Sequence, residues 1–290
     1  MSREYALPDP LAETANMGQL ATETTGSARF REGRANGNGT HHTVQLRDVA
    51  KTFGSFDVLK GVTIDFPDDA ITTILGPSGT GKSVLLKHIV GLLEPDGGDI
   101  TVFGQDIWKI SERQREDLRK NFGVLFQDGA LFGSMNIYDN VAFPLRKHTD
   151  LSESEIEDIV MRRVEEVGLK EAMTKSPSEV SGGMKKRAGF ARALVMKPNV
   201  VMFDEPDSGL DPVRTSLLND LILRVHEEHG GTYILVTHDI QTARKVSDYV
   251  GVLWQGKLIH YGEADEAFNS DDPFVRQFLS GSSAGPLGMD

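Results

Sequence analysis

Residues 70–89 read AITTILGPSGTGKSVLLKHI, and this stretch decides the fold class. It begins with a short, almost wholly apolar run that ends in glycine, which is typical of a buried parallel strand. It ends in a segment that we predict as a helix over Lys82–Leu93. Between the two, Gly76–Ser83 matches the pattern G-x-x-x-x-G-K-[ST] in the strand–loop–helix context that the pattern requires. The stretch therefore predicts a phosphate-binding loop.

The chemistry of this loop favours a nucleotide with a magnesium ion. Glycines let the backbone pass close to phosphate oxygens, where N–H groups and a helix N-terminus meet negative charge. We expect Lys82 to reach the β- and γ-phosphates and the Ser83 hydroxyl to ligate Mg²⁺. The residues predicted to contact the nucleotide are Gly76, Pro77, Ser78, Gly79, Thr80, Gly81, Lys82, Ser83 and Val84. The alternative is a glycine-rich turn with a chance lysine.

Two further apolar runs end in polar residues. Val200–Glu205 ends in two acidic residues, and Leu235–His238 ends in a histidine. Open α/β sheets bind ligands beyond the carboxyl ends of their strands. We therefore expect Asp204 to hold Mg²⁺ directly or through water, and Glu205 to orient and polarise the attacking water. His238 is predicted to contact the γ-phosphate or that water. Taken alone, the same residues also fit a turn with solvated acids and a satisfied polar histidine.

Strands that alternate with helices predict a wound α/β sheet. The predicted strands are 43–53, 61–66, 70–76, 99–103, 122–126, 200–203, 232–236 and 249–253, and the predicted helices are 82–93, 112–120, 213–229 and 240–246. The alternating pattern of 43–53 is interpreted as an edge strand. No convincing strand interrupts 128–197, where Ser152 and Glu155 have capping-box spacing before apolar residues at helical intervals. We predict a helical insertion there.

Composition excludes several classes of protein and site. The net charge of −12 argues against a dedicated nucleic-acid binder. The absence of cysteine excludes disulfides, thiolate metal sites and cysteine nucleophiles. No run of about 18 apolar residues appears, so any membrane role is expected to work through a partner. Residues 1–42 and 281–290 are predicted to be flexible tails around one domain at 43–280.

Six motifs, in order, closely resemble those of the ABC ATPases over about Val44–Gly262. They are the phosphate loop, Gln127, the helix-opening segment Ser181–Met184, Asp204–Glu205, Ser208–Asp211 and His238. The resemblance implies a P-loop NTPase of the RecA-like type, with an antiparallel β edge and an inserted α-helical subdomain. It also implies an ATPase that uses ATP and Mg²⁺.

The resemblance further implies an active site shared by two chains. Phe53 resembles the aromatic residue that stacks on adenine, and Gln127 resembles the glutamine that senses Mg²⁺ and touches the transporter. Asp211 would cross the dimer interface. The residues expected to contact the γ-phosphate bound on the opposite subunit are Ser181, Gly182 and Gly183. Each chain would then lack part of its own active site, which makes pairing with a second copy a condition of catalysis.

The signature segment departs from the usual Leu-Ser-Gly-Gly-Gln, because Val180–Met184 ends in methionine and lacks a side-chain amide. Together with Phe126–Phe132, Asp139–Arg146 and Asp272–Leu279, this segment resembles the ATPases of Mla- and Mce-type lipid transporters. That resemblance implies transport of a lipid, fatty acid or sterol and favours import. It also implies that this subunit lies at the cytoplasmic side of the inner membrane. The implied partners are an integral membrane permease and Mce-type substrate-binding proteins, with no nucleic acid.

Two other functions remain open at this point. One is an ABC importer ATPase for another small solute. The other is a soluble, non-transport ABC ATPase, although such proteins usually carry two cassettes, a long coiled coil or zinc-binding cysteines. An apolar group is also open to two interpretations, as a docking groove for the permease or as core packing. It comprises Leu131, Phe132, Met135 and Ile137.

Overall fold

Two β-sheets and nine helices organise residues 42–287, the part of the chain that the computed structural model describes. The strands are β1 (His42–Phe53), β2 (Phe56–Pro67), β3 (Ile71–Leu75), β4 (Gly97–Val102), β5 (Gln105–Asp106), β6 (Phe122–Leu125), β7 (Val200–Asp204), β8 (Thr232–Thr237), β9 (Tyr249–Trp254) and β10 (Lys257–Glu263). The helices are α1 (Lys82–Ile89), α2 (Glu112–Arg119), α3 (Ile137–His148), α4 (Glu153–Glu166), α5 (Gly182–Leu194), α6 (Pro212–His229), α7 (Ile240–Val246), α8 (Ala264–Phe268) and α9 (Pro273–Ser280).

The larger sheet has six strands in the order β10-β9-β3-β8-β7-β6. All neighbours in it are parallel except β10, which pairs antiparallel with β9. Every residue of β3 and β8 is buried, as their continuous apolar runs predict. Leu75 pairs with Thr237, and Asp204 pairs with Val236. The carboxyl ends of β3, β7 and β8 therefore lie side by side, which is where the predicted catalytic residues follow them.

The smaller sheet is antiparallel, in the order β2-β1-β4-β5. The prediction of 43–53 as an edge strand is wrong, because β1 pairs with β2 on one side and with β4 on the other. Alternation reports that one face of a strand is buried and carries no information about its lateral neighbours. β1 also includes His42, which the prediction assigned to the N-terminal tail; the rest of that tail lies outside the described residues.

The predicted helical insertion is confirmed. Between β6 and β7 every residue is described, and the segment contains α3, α4, α5 and two short 3₁₀ turns but no strand. Ser152 caps α4 as predicted, since its hydroxyl accepts the N–H of Glu155 while the Glu155 carboxylate accepts the N–H of Ser152. Apolar side chains of the insertion share one core cluster with β7 and β8. The insertion is thus packed directly on the strands that carry the site.

The C-terminal part of the described chain differs from the prediction. β10, α8 and α9 were not predicted, and residues 281–287 fold back onto α9 although 281–290 was predicted to be flexible. Leu287 is only 5% exposed, and its N–H donates to Oε1 of Gln277 at 2.8 Å. Gln277 also donates to Ser282 O at 3.3 Å, so hydrogen bonds as well as a buried leucine hold this glycine- and serine-rich segment against α9. Within residues 42–287 no helix is long and apolar enough to cross a membrane.

Candidate nucleotide site

The loop Gly76–Ser83 joins β3 to α1 and forms a backbone cradle. Gly79 and Gly81 have φ angles of 82° and 100°, a region in which side chains are strained. A Cβ on Gly81 would lie 2.9 Å from Cδ2 of Leu59. The first intrahelical hydrogen bond runs from Leu85 N to Gly81 O at 2.8 Å. The N–H groups just before it have no intrahelical acceptor, so the cradle suits an anion.

Lys82 is held inside this loop. Its side chain is buried, and Nζ donates to the carbonyl oxygens of Gly76 at 2.8 Å and Pro77 at 2.9 Å. Nζ also lies 3.4 Å from Oε1 of Glu205, which balances its charge. The Thr80 hydroxyl closes the turn by donating to Pro77 O at 2.9 Å. The other predicted contacts, Ser78 and Val84, lie within the loop and in the first turn of α1.

The predicted magnesium ligands of two distant segments meet. The Ser83 hydroxyl donates to Oδ1 of Asp204 at 2.7 Å. Burial raises the pKa of Asp204, the hydrogen bond from Ser83 opposes this shift, and the negative charge of Glu205 adds to it. A carboxylate and a hydroxyl beside a phosphate cradle are the oxygen donors that Mg²⁺ prefers. The residues present therefore fit a magnesium ion.

Glu205 sits at the centre of the site in a strained conformation. Its φ is 48°, which is uncommon for a residue with a side chain and costs about 1–2 kcal/mol. The strand β8 holds it there, because Glu205 N donates to Val236 O at 2.8 Å. The carboxylate is 15% exposed and lies 3.5 Å from Nδ1 of the half-exposed His238. Glu205, Lys82 and His238 thus converge on one point, as the strand ends predict.

Gln127 lies near this centre and contacts the loop that follows Glu205. Its amide donates to Oγ of Ser208 at 3.1 Å. In the described residues it has no hydrogen bond with Ser83 or Asp204, so only those two members of the predicted metal set are brought together. Gln127 instead links the end of β6 to the loop that follows Glu205.

The predicted adenine-stacking residue, Phe53, ends β1 at the tip of a hairpin. Its ring is 48% exposed, and Lys51 Nζ lies 5.7 Å from the ring centroid. Phe56, directly opposite in register, is exposed as well. Both rings therefore have faces available for stacking, and the motif singled out only one of them.

Ser181, Gly182 and Asp211 are exposed and serve local roles, whereas Gly183 and Met184 are half-buried. Ser181 caps α5 by accepting the N–H of Met184 at 3.3 Å, and Gly182 and Gly183 form the first turn. Asp211 caps α6 by accepting the N–H groups of Val213 and Arg214. Among residues 42–287, no hydrogen bond or ion pair joins Ser181 or Asp211 to the phosphate loop of the same chain.

The structure also resolves the ambiguous apolar group. Ile137 is fully buried in the core, Leu131 packs against that core, and Met135 is partly buried. Phe132 stays 42% exposed. Core packing is therefore the correct interpretation for Ile137, whereas Phe132 keeps a free surface.

Two residues at the site, Lys186 and Asp207, are additions to the prediction. Lys186, on α5, is 5% exposed and donates to the carbonyl oxygens of Glu205 and Ser208. Asp207 is also buried, and its two carboxylate oxygens accept from the Thr237 hydroxyl. The helical spacing of Lys186 to the buried Phe190 was a signal that this lysine faces inwards.

Comparisons with known proteins identify a family and sequence relatives. The family profile described as ABC transporter matches residues 59–208. A relative in Mycobacterium leprae, the probable ribonucleotide transport ATP-binding protein mkl, is 50% identical over 85% of this chain and 71% of its own length. A relative in Escherichia coli K12, the intermembrane phospholipid transport system ATP-binding protein MlaF, is 41% identical over 84% of this chain and 91% of its own length.

Two solved structures are similar in fold. The cbiO1 protein of Clostridium perfringens, described as part of an ABC transporter complex, has a TM-score of 0.73 and 31% identity, covering 82% of this chain and 95% of its own. The ATP-binding cassette MJ0796, in a dimeric post-hydrolysis state bound to ADP and phosphate, has a TM-score of 0.71 and 27% identity, covering 76% and 98%.

Proposed function

This chain belongs to the ABC transporter family as an ATP-hydrolysing, ATP-binding subunit, and we propose that two copies share their active sites and energise lipid transport. The cargo proposed is a lipid, fatty acid or sterol, moved by an integral membrane permease with an Mce-type substrate-binding protein. The subunit would lie at the cytoplasmic face of the inner membrane through that permease. One observation carries the proposal: the hydrolytic half-site converges within one chain, whereas the signature segment faces outwards.

Binding of ATP is the task of the cradle. The N–H groups that precede Leu85 and the N-terminus of α1 receive the β- and γ-phosphates. Lys82 exchanges its contacts with Gly76 O and Pro77 O for phosphate oxygens. Phe53 stacks on the adenine. Ser83 and Asp204 would hold Mg²⁺, which would supply positive charge to offset that of the phosphates.

Hydrolysis is the task of Glu205. Its carboxylate accepts a proton from the attacking water as the water oxygen bonds to the γ-phosphorus and the bond to the bridging oxygen breaks. His238, beside the carboxylate, orients the water or the γ-phosphate. Gln127 is proposed to act through Ser208 and, once Mg²⁺ is bound, at the metal.

The second copy completes the site. Ser181, Gly182 and Gly183 of one chain contact the γ-phosphate held by the other, and Asp211 lies at the seam between the chains. Support comes from the dimeric state of the cassette MJ0796. Loss of the γ-phosphate removes the interaction that favours the closed pair, so the pair reopens and drives the permease.

The relatives support two different candidates for the transported molecule. The relatives at 50% identity are named for ribonucleotide transport, and those at 41% for phospholipid transport. We favour lipid because MlaF is matched over 91% of its length, and because Met184 departs from the usual signature as in the ATPases of Mla- and Mce-type transporters. A ribonucleotide is the second candidate, supported by the higher identity.

One experiment tests the cargo and the partner together. The tagged full-length chain is extracted with detergent from its native membrane, and co-purifying proteins and bound small molecules are identified by mass spectrometry. A multispanning protein with bound phospholipid, fatty acid or sterol above detergent-matched controls is expected. A bound ribonucleotide other than ATP or ADP would favour the second candidate. Absence of any multispanning protein would contradict transport.

A further inference from the structure

A buried lysine on the signature helix is unexplained by the proposed chemistry. Lys186 lies in the second turn of α5, which begins just after Ser181. Its Nζ donates to the carbonyl oxygens of Glu205, at 3.3 Å, and of Ser208. These are backbone atoms of the loop that carries the proposed catalytic carboxylate. One side chain thus joins the signature helix to the hydrolytic loop of its own chain.

The same loop is fixed from the opposite side. Both carboxylate oxygens of Asp207 accept from the Thr237 hydroxyl, at 2.7 and 2.9 Å, and Thr237 ends β8 directly before His238. The same hydroxyl accepts the N–H of Asp239 at 2.9 Å. The loop is therefore held between β8 and α5, and within residues 42–287 the side-chain hydrogen bonds that α5 donates to it come from Lys186.

Helix α5 is also bound tightly to the segment after Gln127. A Cβ on Gly189 would lie 2.9 Å from Gly129 O, so the helix and this segment touch backbone to backbone. Arg192 donates to Gly129 O at 2.9 Å and to Ala130 O at 2.8 Å. A movement of α5 is thereby transmitted both to the neighbourhood of Gln127 and, through Lys186, to Glu205.

The surroundings of Lys186 explain why a cation occupies this position. Burial lowers its pKa, and the negative charges of Asp207, Asp128 and Glu205 oppose that shift. An ammonium group carries several donors and can bond two carbonyl oxygens at once, which no apolar side chain can do. A methionine of similar length would leave both carbonyl oxygens without this donor.

We propose that Lys186 is a positioning residue that fixes the peptide of Glu205 and the carbonyl of Ser208, and so couples the signature end of α5 to hydrolysis in its own chain. The inference rests on the proposed role of Glu205. Through Lys186, the position of α5 sets the orientation of Glu205 in the same chain, and this contact is made whether or not Ser181 engages the nucleotide of the partner subunit. Lys186 touches no reacting atom, so its effect falls on kcat.

The test measures ATP turnover, the KM for ATP and thermal melting of the full-length chain. Lys186→Met is expected to lower kcat by about ten- to a hundredfold, since small misplacements of a catalytic group have effects of this size. The KM is expected to change by less than about threefold, because no uniform binding contact is lost. Lys186→Arg is expected to recover most of the turnover. Lys185→Met is the matched control, with wild-type turnover expected, because the Lys185 side chain forms no hydrogen bond or ion pair within residues 42–287.

Variants at Glu205 separate the two proposals. Lys186→Met combined with Glu205→Gln is expected to be no slower than Glu205→Gln alone, because both act on one step. Turnover of Lys186→Met within about twofold of wild type, or an undiminished effect in the Glu205→Gln background, would overturn the inference. If Lys186→Met does not fold, Lys186→Gln is compared with Lys186→Arg, and equal turnover of the two overturns it. Full turnover of Glu205→Gln would instead overturn the proposed role of Glu205.

Discussion

Replacing Glu205 by glutamine removes the proposed catalytic base while keeping the size of the side chain. Lys82 Nζ lies 3.4 Å and His238 Nδ1 lies 3.5 Å from the carboxylate oxygens. Glutamine keeps an acceptor and a donor at this position but cannot take the proton of the attacking water. The change therefore separates proton transfer from the packing of the site.

The cost in stability follows from the contacts of Lys82. The Coulomb attraction between two charges at this separation is about 5 kcal/mol at an effective dielectric constant of about 20, before desolvation is subtracted. Lys82 keeps its hydrogen bonds to Gly76 O and Pro77 O, so it is not left uncompensated. We expect a loss of about 1.5–3 kcal/mol, as for one charge-assisted hydrogen bond. The melting temperature then falls by about 2–4 °C per kcal/mol.

The cost in catalysis is larger. General base catalysis contributes about 10²–10⁴-fold, which corresponds to about 3–5.5 kcal/mol in the barrier. Binding of ATP is expected to persist or to tighten, because a negative charge near the γ-phosphate has been removed. Phosphate release at saturating MgATP gives kcat, and titration with a fluorescent ATP analogue gives the affinity. Glu116→Gln on the exposed face of α2 is the matched control.

The reasoning fails if Glu205→Gln hydrolyses ATP within a few-fold of the wild-type rate while folded. It also fails if the variant loses turnover only in proportion to ATP binding, since that would make Glu205 a binding residue.

Ser83→Ala removes the hydroxyl that lies 2.7 Å from Asp204. Magnesium titration of phosphate release is expected to show a Mg²⁺ concentration for half-maximal turnover raised by at least about tenfold. An unchanged Mg²⁺ requirement would contradict the placement of Ser83 at the metal site. Gly81→Ala places a Cβ 2.9 Å from Leu59 at a φ of 100°. It is expected to lower the free energy of unfolding by more than the roughly 1–2 kcal/mol of left-handed strain alone. Gly54→Ala, with a φ of 61° and open space around it, measures that strain by itself in the same melting experiment. Burial raises the pKa of Asp207, so the folded state binds this proton more tightly than the unfolded state, and the carboxyl lowers stability as pH rises from its ordinary pKa of 3.8 through the raised value. Denaturant unfolding measured across this pH interval should show that the free energy of unfolding falls less steeply with pH for Asp207→Asn than for wild type. Parallel curves for the two proteins would contradict the raised pKa of Asp207.

Local patterns predicted the parts of the site that are local in the chain. The phosphate loop and the acids after β7 follow apolar runs, and parallel strands bring such ends together whatever their separation in sequence. Alternation does not specify the lateral order of strands, so the pattern of β1 predicts an edge strand where the structure has a central one. The alternation along β1 would be the same with one neighbour or two.

The sequence also does not predict contacts that depend on how separate helices and strands pack together. Lys186 meets the carbonyl oxygens of Glu205 and Ser208 only because α5 packs across the end of β7. The hydrogen bond between Thr237 and Asp207 joins the end of β8 to the loop after β7, 30 residues earlier in the chain. In each case the residue types were visible, but the partner was fixed by tertiary structure.

The central claim is that ATP is hydrolysed between two chains, and mixing two inactive variants tests it most directly. Ser181→Arg disrupts the signature segment that contacts the nucleotide of the partner subunit. Glu205→Gln inactivates the hydrolytic half-site of its own chain. Each variant alone is expected to be nearly inactive, and each is expected to bind ATP. A random mixture should recover about one quarter of wild-type turnover, because half of the pairs are mixed and each mixed pair has one intact site of two. A mixture as inactive as its components, at concentrations where pairs are detected by sedimentation, would contradict the shared site.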